Sequence, residues 1–118
     1  MGKRILIVDD DPKTRQDLRK LVLDMGHEVA GEVGSPREAI HALVSSSPDA
    51  VLLDLILKQS HGISILKNTL NIEKDAKIIM VSGVDVETFA LRALGEGARA
   101  FLSKPVNRAL LEKELSAI

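Results

Sequence analysis

Cysteine is missing from the 118 residues, which removes disulfides, thiol nucleophiles and cysteine-ligated zinc or iron–sulfur clusters at once. Tryptophan and tyrosine are missing as well, and phenylalanine occurs only twice. The chain therefore has no aromatic platform on which bases could stack. No apolar run approaches the length of a membrane span, and the charged opening MGKRILIVDDD has no signal-peptide core. Residue 6 is Leu rather than Ser or Thr, so Gly2 does not begin a myristoylation pattern. Neither sign of charge dominates, and a formal net charge of -1 supplies no global attraction to nucleic acid or to an anionic membrane. Together these absences predict a cytoplasmic chain, compatible with a reducing compartment, with no direct nucleic-acid partner and no membrane association.

What is present suits one domain, residues 1–118, with its own hydrophobic core. Runs rich in β-branched and aliphatic residues lie at Ile5–Val8, Ala50–Leu53 and Lys77–Val81, with a less regular one at His27–Val33 and a weaker one at Ala100–Leu102. Their continuous rather than alternating apolar character predicts strands covered on both faces, as in a parallel sheet. Helical spacing fills the gaps. Leu18, Leu21, Val22 and Met25 form one stripe, stopped by Gly26, and Ser35-Pro36-Arg37-Glu38 reads as a capping box ahead of Ala39, Ile40, Leu43 and Val44. Ile63, Leu66 and Leu70 mark a third helix. Val86, Phe89, Ala90, Ala93 and Leu94 mark a fourth, and Val106, Leu110, Leu111 and Leu115 a fifth that opens at Pro105. Alternating strands and helices with short loops predict a three-layer α/β domain with right-handed crossovers.

In such a sheet, ligands bind at the carboxyl ends of the strands. Asp9 and Asp10 end the first strand, Asp54 the third and Ser82 the fourth, and Lys104 follows the fifth. A group of carboxylates with oxygen donors only suits a hard cation, and Mg²⁺, which takes one or two carboxylates plus a phosphate, fits better than Ca²⁺. The cation makes Asp9 and Asp10 tolerable side by side. Asp11 reads instead as the N-cap of the first helix, with Pro12 at its first position. Asp54 is then left for chemistry: an aspartate of ordinary pKa, about 4, is ionised at neutral pH and needs no base to attack phosphorus. Lys104 and Mg²⁺ would screen an incoming phosphoryl group, and Ser82 could hydrogen-bond one of its oxygens. The implied product is an aspartyl phosphate.

Taken singly, each of these residues has a plainer explanation. Acidic residues favour helix N-termini, Ser82 could be a turn residue, Lys104 a solvated charge and Phe101 a core side chain. Their convergence carries the reading. His27, His41 and His61 lack metal-ligand spacing and read as surface or strand-edge residues. Ser45-Ser46-Ser47-Pro48 reads as the loop ending the second helix. Gly83, Gly95 and Gly97 make neither a Walker motif nor a dinucleotide fingerprint.

The acidic pair Asp9-Asp10, the lone Asp54, Ser82 in VSG, Phe101 in RAFLSKP and the dipeptide Lys104-Pro105 stand in the order and at the separations of the receiver domain of two-component response regulators, which the chain resembles along its whole length. The resemblance implies a flavodoxin-like (βα)5 fold with strand order 2-1-3-4-5, the order shared by flavodoxin and the chemotaxis regulators of this family. It further implies a signalling switch rather than an enzyme acting on a separate substrate, one that catalyses only its own phosphorylation and dephosphorylation. A histidine kinase or histidine phosphotransfer protein would phosphorylate Asp54, with Mg²⁺ held by Asp10 and Asp54, by Asp9 through water, and by the backbone carbonyl of Ile56. Ser82 would then move toward the phosphate and Phe101 turn inward, reshaping the surface of the fourth helix, fifth strand and fifth helix for a downstream target. A phosphorylation-dependent homodimer through the fourth and fifth helices is compatible with the family. The Lys104-Pro105 peptide is typically cis in such domains, aiming the lysine into the site.

The chain departs from the family in one loop, where Leu57-Lys58 replaces the frequent Met-Pro, although Gly62 keeps its offset. Ile56 and Val84 stand where family members control access of the hydrolytic water, and two apolar residues there predict a long-lived acyl phosphate. Two alternatives stay open on the sequence. A haloacid-dehalogenase-like phosphatase would use Asp9-Asp10-Asp11 as its Asp-x-Asp motif, but Lys13 stands where Thr is wanted and no late acidic pair completes its metal site. A receiver-like module that binds partners without accepting phosphate is the other. Since the chain ends after the fifth helix, the expectation is either a stand-alone regulator or a receiver from a longer protein.

Overall fold

The computed structural model describes residues 2–54, 57–83 and 87–118, apart from the side chains of residues 36, 57–63 and 87–89. Strands and helices alternate as β1 (Arg4–Val8), α1 (Pro12–Asp24), β2 (Glu28–Val33), α2 (Pro36–Ser46), β3 (Ala50–Asp54), α3 (Leu57–Ile72), β4 (Ile78–Ser82), α4 (Glu87–Gly95), β5 (Ala100–Ser103) and α5 (Arg108–Ser116). All strand pairs are parallel, in the order β2-β1-β3-β4-β5. The sheet order is the one the resemblance implies.

The pleat sends successive side chains to opposite faces, so one apolar run builds two cores. Ile5, Ile7, Leu52, Ile79, Val81 and Leu102 pack with Leu18 and Val22 of α1 and Leu111 and Leu115 of α5. On the other face Leu6, Val8, Val51, Leu53, Ile78 and Met80 meet Ala39 and Leu43 of α2, Ile65 and Leu66 of α3 and Ala93 of α4. Ile5, Leu6, Ile7, Leu52, Leu53, Ile78, Ile79 and Met80 are fully buried, each contributing about 1.5–3 kcal/mol. The three central strands therefore form a fixed platform beneath the residues at their carboxyl ends.

Local chemistry sets the helix ends. The Asp11 carboxylate accepts a hydrogen bond from the Lys13 N–H at 3.2 Å, with Pro12 opening α1. The helix ends where Gly26 adopts φ 85°, a conformation glycine takes without a Cβ clash. At α2 the Ser35 hydroxyl accepts from the Glu38 N–H at 3.3 Å and also lies 2.9 Å from the Glu38 carboxylate. This is one arm of the expected capping box, with a side-chain contact in place of the other.

Some details differ from the sequence reading, among them Ser45 and Ser46, which belong to the last turn of α2 rather than to the loop after it. The fifth helix opens at Arg108 rather than Pro105, because the Asn107 side chain caps the Leu110 N–H at 3.0 Å while Pro105 belongs to the preceding turn. Strand β2 is less regular, as its sequence suggests: its register jumps from Ile5 opposite Val29 to Leu6 opposite Gly31, a bulge at the sheet edge. Val44, Leu94 and Leu110 are exposed; each lies at the margin of its helical stripe, beyond the arc that faces the sheet. Val86, expected in the fourth helix, is outside the described residues, as is the side chain of Phe89.

Candidate phosphoryl-transfer site

Strand register brings the polar residues together. Val8 stands opposite Leu53, so Asp9 leaves the sheet level with Asp54 at the end of β3. Asp54 stands opposite Val81, which puts Ser82 one step further along β4, and Ser82 stands opposite Ser103, the residue before Lys104. The Lys104 N–H donates to the Ser82 carbonyl at 2.7 Å. The Lys104–Pro105 peptide is cis.

Asp9, Asp54 and Ser82 are buried, and Asp10 is half-buried. Carboxylate oxygens of Asp9, Asp10 and Asp54 lie within 4.8 Å of one another. Between two of them sits one cation: Lys104 Nζ is 2.9 Å from Asp9 Oδ2 and 3.3 Å from Asp54 Oδ2. Burial works against the ammonium, but the Asp9 hydrogen bond and the charges of Asp54 and Asp9 outweigh it and hold the Lys104 pKa above its ordinary value. Among the described residues the cluster sets three carboxylates against one ammonium, a formal deficit of positive charge. An all-oxygen donor set with that deficit matches a hard divalent cation such as Mg²⁺.

The three adjacent aspartates divide their work. The Asp9 carboxylate accepts from Lys104 on Oδ2 and from the Asp11 N–H on Oδ1, the latter at 2.9 Å. Asp11 turns outward to α1, where the Thr14 hydroxyl, at 2.8 Å, and the Lys13 N–H hold its pKa below the ordinary carboxylate value. Asp10 alone has no hydrogen bond or ion pair among the described residues. Its carboxylate stands beside those of Asp9 and Asp54 without a protein partner among the described residues.

Phe101 lies opposite Met80 and is half-buried on the α2–α4 side of the sheet. Ile56, expected as a carbonyl ligand, and Val84, expected beside it as a shield, lie outside the described residues, as do the side chains of Leu57 and Lys58. Sequence reasoning missed Arg15. Its guanidinium donates to the Asp9 backbone carbonyl at 2.6 Å, and a contact to a carbonyl leaves no residue-type signature. The signal available was position: Arg15 lies four residues after the Asp11 cap, whose carbonyl accepts the Arg15 N–H at 3.0 Å.

Comparison with known proteins points the same way. The profile of the response regulator receiver domain matches residues 5–116. The chemotaxis protein CheY of Thermotoga maritima is 34% identical over 118 residues, covering 100% of this chain and 98% of the relative. Among solved structures, a LuxR-family two-component response regulator from Aurantimonas superposes with a TM-score of 0.91 at 29% identity, covering 99% of this chain and 84% of that one. A chain from the CheX–CheY–BeF3–Mg²⁺ complex of Borrelia burgdorferi superposes with a TM-score of 0.88 at 28% identity, covering 97% of this chain and 87% of that one.

Proposed function

The chain belongs to the response regulator receiver domain family of two-component signalling, and from that premise we propose that Asp54 is its phosphoacceptor, with Ser82 and Lys104 completing the site. The observation that carries the reading is the single ammonium of Lys104 shared between Asp9 and the acceptor Asp54. A positive charge beside that carboxylate supports the reading, because the negative oxygens of a phosphoryl group would arrive there.

In the step itself an Asp54 carboxylate oxygen forms a bond to phosphorus while the phosphorus–nitrogen bond of a phosphohistidine breaks, and the departing imidazole nitrogen keeps the electron pair. The donor is a histidine kinase or a histidine phosphotransfer protein. Lys104 exchanges part of its contact with Asp54 for a phosphoryl oxygen and remains anchored by Asp9. Ser82, one residue beyond the register partner of Asp54, donates its hydroxyl to another phosphoryl oxygen. Mg²⁺ would be held by Asp10 and Asp54, by Asp9 through water and by the Ile56 carbonyl, and when bound it supplies charge neutralisation between acceptor and phosphoryl oxygens. The BeF3 and Mg²⁺ in the Borrelia complex support this ligand chemistry.

Phe101, half-buried on β5, would follow Ser82 inward and alter the face of α4, β5 and α5, where Leu91, Leu94 and Leu110 are exposed. That face would meet the downstream target or a second copy. No helix among the described residues is long and apolar enough to cross a membrane, and the reading places the domain in the cytoplasm with its kinase. Intact mass after incubation with acetyl phosphate tests the proposal. One phosphoryl group gained only with Mg²⁺, and lost in Asp54→Asn, supports it. No gain from acetyl phosphate or from a phosphorylated kinase favours a module that only binds.

A further inference from the structure

Arg15 occupies a place that the phosphoryl chemistry does not use. Its guanidinium is half-buried and reaches back from the first turn of α1 to the Asp9 carbonyl at 2.6 Å. That carbonyl belongs to the peptide unit whose nitrogen is Asp10's, so its direction sets the direction in which Asp10 leaves the strand. The preceding peptide is already fixed, because the Asp9 N–H donates to the Val33 carbonyl at 3.0 Å. The Asp9 side chain is fixed by Lys104 and Asp11. Asp10 has no such side-chain partner among the described residues. Its orientation rests on the backbone, and the backbone there rests on Arg15.

Gly34 supplies the space. A Cβ on residue 34 would stand 2.8 Å from Arg15 Nη1 and 3.6 Å from the Asp9 carbonyl oxygen. Gly34 is not in the left-handed conformation, so its backbone would accept alanine and only the guanidinium would be displaced.

We propose that Arg15, seated against Gly34, is a positioning residue that grips the Asp9–Asp10 peptide and so holds the Asp10 carboxylate ready for Mg²⁺. The inference rests on the reading of Asp10 as a Mg²⁺ ligand. Groups that orient metal ligands typically change metal affinity by about 10- to 100-fold when removed.

The test is titration calorimetry with Mg²⁺ alone on the full chain, which lacks the tryptophan and tyrosine that a fluorescence assay needs. Arg15→Gln should weaken Mg²⁺ binding about 10-fold or more. Gly34→Ala, which keeps the arginine and gives a second route should Arg15→Gln fail to fold, should weaken it in the same direction. In the double variant Gly34→Ala should add nothing further, since its effect passes through Arg15. Phosphorylation from acetyl phosphate should need more Mg²⁺ but reach the wild-type rate at saturation, a split that general loosening of the fold would not produce. Unchanged Mg²⁺ affinity in both folded single variants, beside a wild type that binds, overturns the inference and leaves the phosphoacceptor reading standing. A wild type that binds no Mg²⁺ removes that reading's metal site and the inference with it.

Discussion

The ammonium of Lys104 lies 2.9 Å from Oδ2 of Asp9, a side chain only 1% exposed. A buried carboxylate in that position requires a compensating charge, and the same ammonium also serves Asp54. Lys104→Met should therefore destabilise the Mg²⁺-free chain by about 2 kcal/mol, less than the loss from a fully enclosed pair because the lysine keeps 22% exposure. Urea denaturation measures this. Saturating Mg²⁺ should raise the melting temperature of the variant by more than it raises that of the wild type, because the cation meets carboxylates the lysine has left. Equal shifts would mean the two charges do not share a site.

Alkaline pH should reveal the same pair. The folded-state pKa of Lys104 is raised above its ordinary value of 10.5, so its contribution is complete below 10.5 and disappears as the pH climbs through the raised value. Stability of the wild type should fall over that range more steeply than stability of Lys104→Met. Parallel decline of the two proteins would contradict the assignment.

Asp11 should govern the acid limb with the opposite sign. Its folded pKa is lowered from 3.8 by the Thr14 hydroxyl and the Lys13 N–H, so the cap's contribution is present above 3.8 and is lost as the pH falls through the lowered value. Asp11→Ala should lower the melting temperature at pH 7, and the difference from wild type should close at the acid end. A gap that persists unchanged under acid would show that the cap's charge is irrelevant.

Ser82 and Phe101, the residues proposed to form the switch, should separate by readout. Ser82→Ala would remove the hydrogen bond proposed to a phosphoryl oxygen, worth about 1.5–3 kcal/mol, and should slow phosphorylation of Asp54 by at least about tenfold. Phe101→Leu keeps a similar apolar bulk and should leave that rate unchanged. Both should blunt the phosphorylation-dependent change in amide hydrogen exchange over α4, β5 and α5. A full change in Phe101→Leu would take the aromatic residue out of the switch.

Much of the fold and the site is legible in the residues alone. Runs such as Ile5–Val8 and Ile78–Val81 are apolar at consecutive positions, the pattern expected of strands buried on both faces. The rule that polar residues at strand ends share one sheet edge then predicts the meeting of Asp9, Asp54 and Lys104. Other features depend on tertiary contacts that residue types do not encode. Pro105 has the look of a first helical position, yet the Asn107 cap moves the start of α5 to Arg108. The β2 bulge depends on how that edge strand meets Leu6, and Arg15 acts on a carbonyl that every residue possesses.

Asp54, and neither Asp9 nor Asp10, is the residue proposed to take the phosphoryl group. Borohydride reduces an aspartyl phosphate to homoserine, and peptide mass mapping of the reduced, phosphorylated chain locates the altered residue. Homoserine at position 54, dependent on Mg²⁺ and on the phosphodonor, is the result expected. Homoserine at position 9 or 10 would contradict it and return the chain to the phosphatase-like use of its first aspartates.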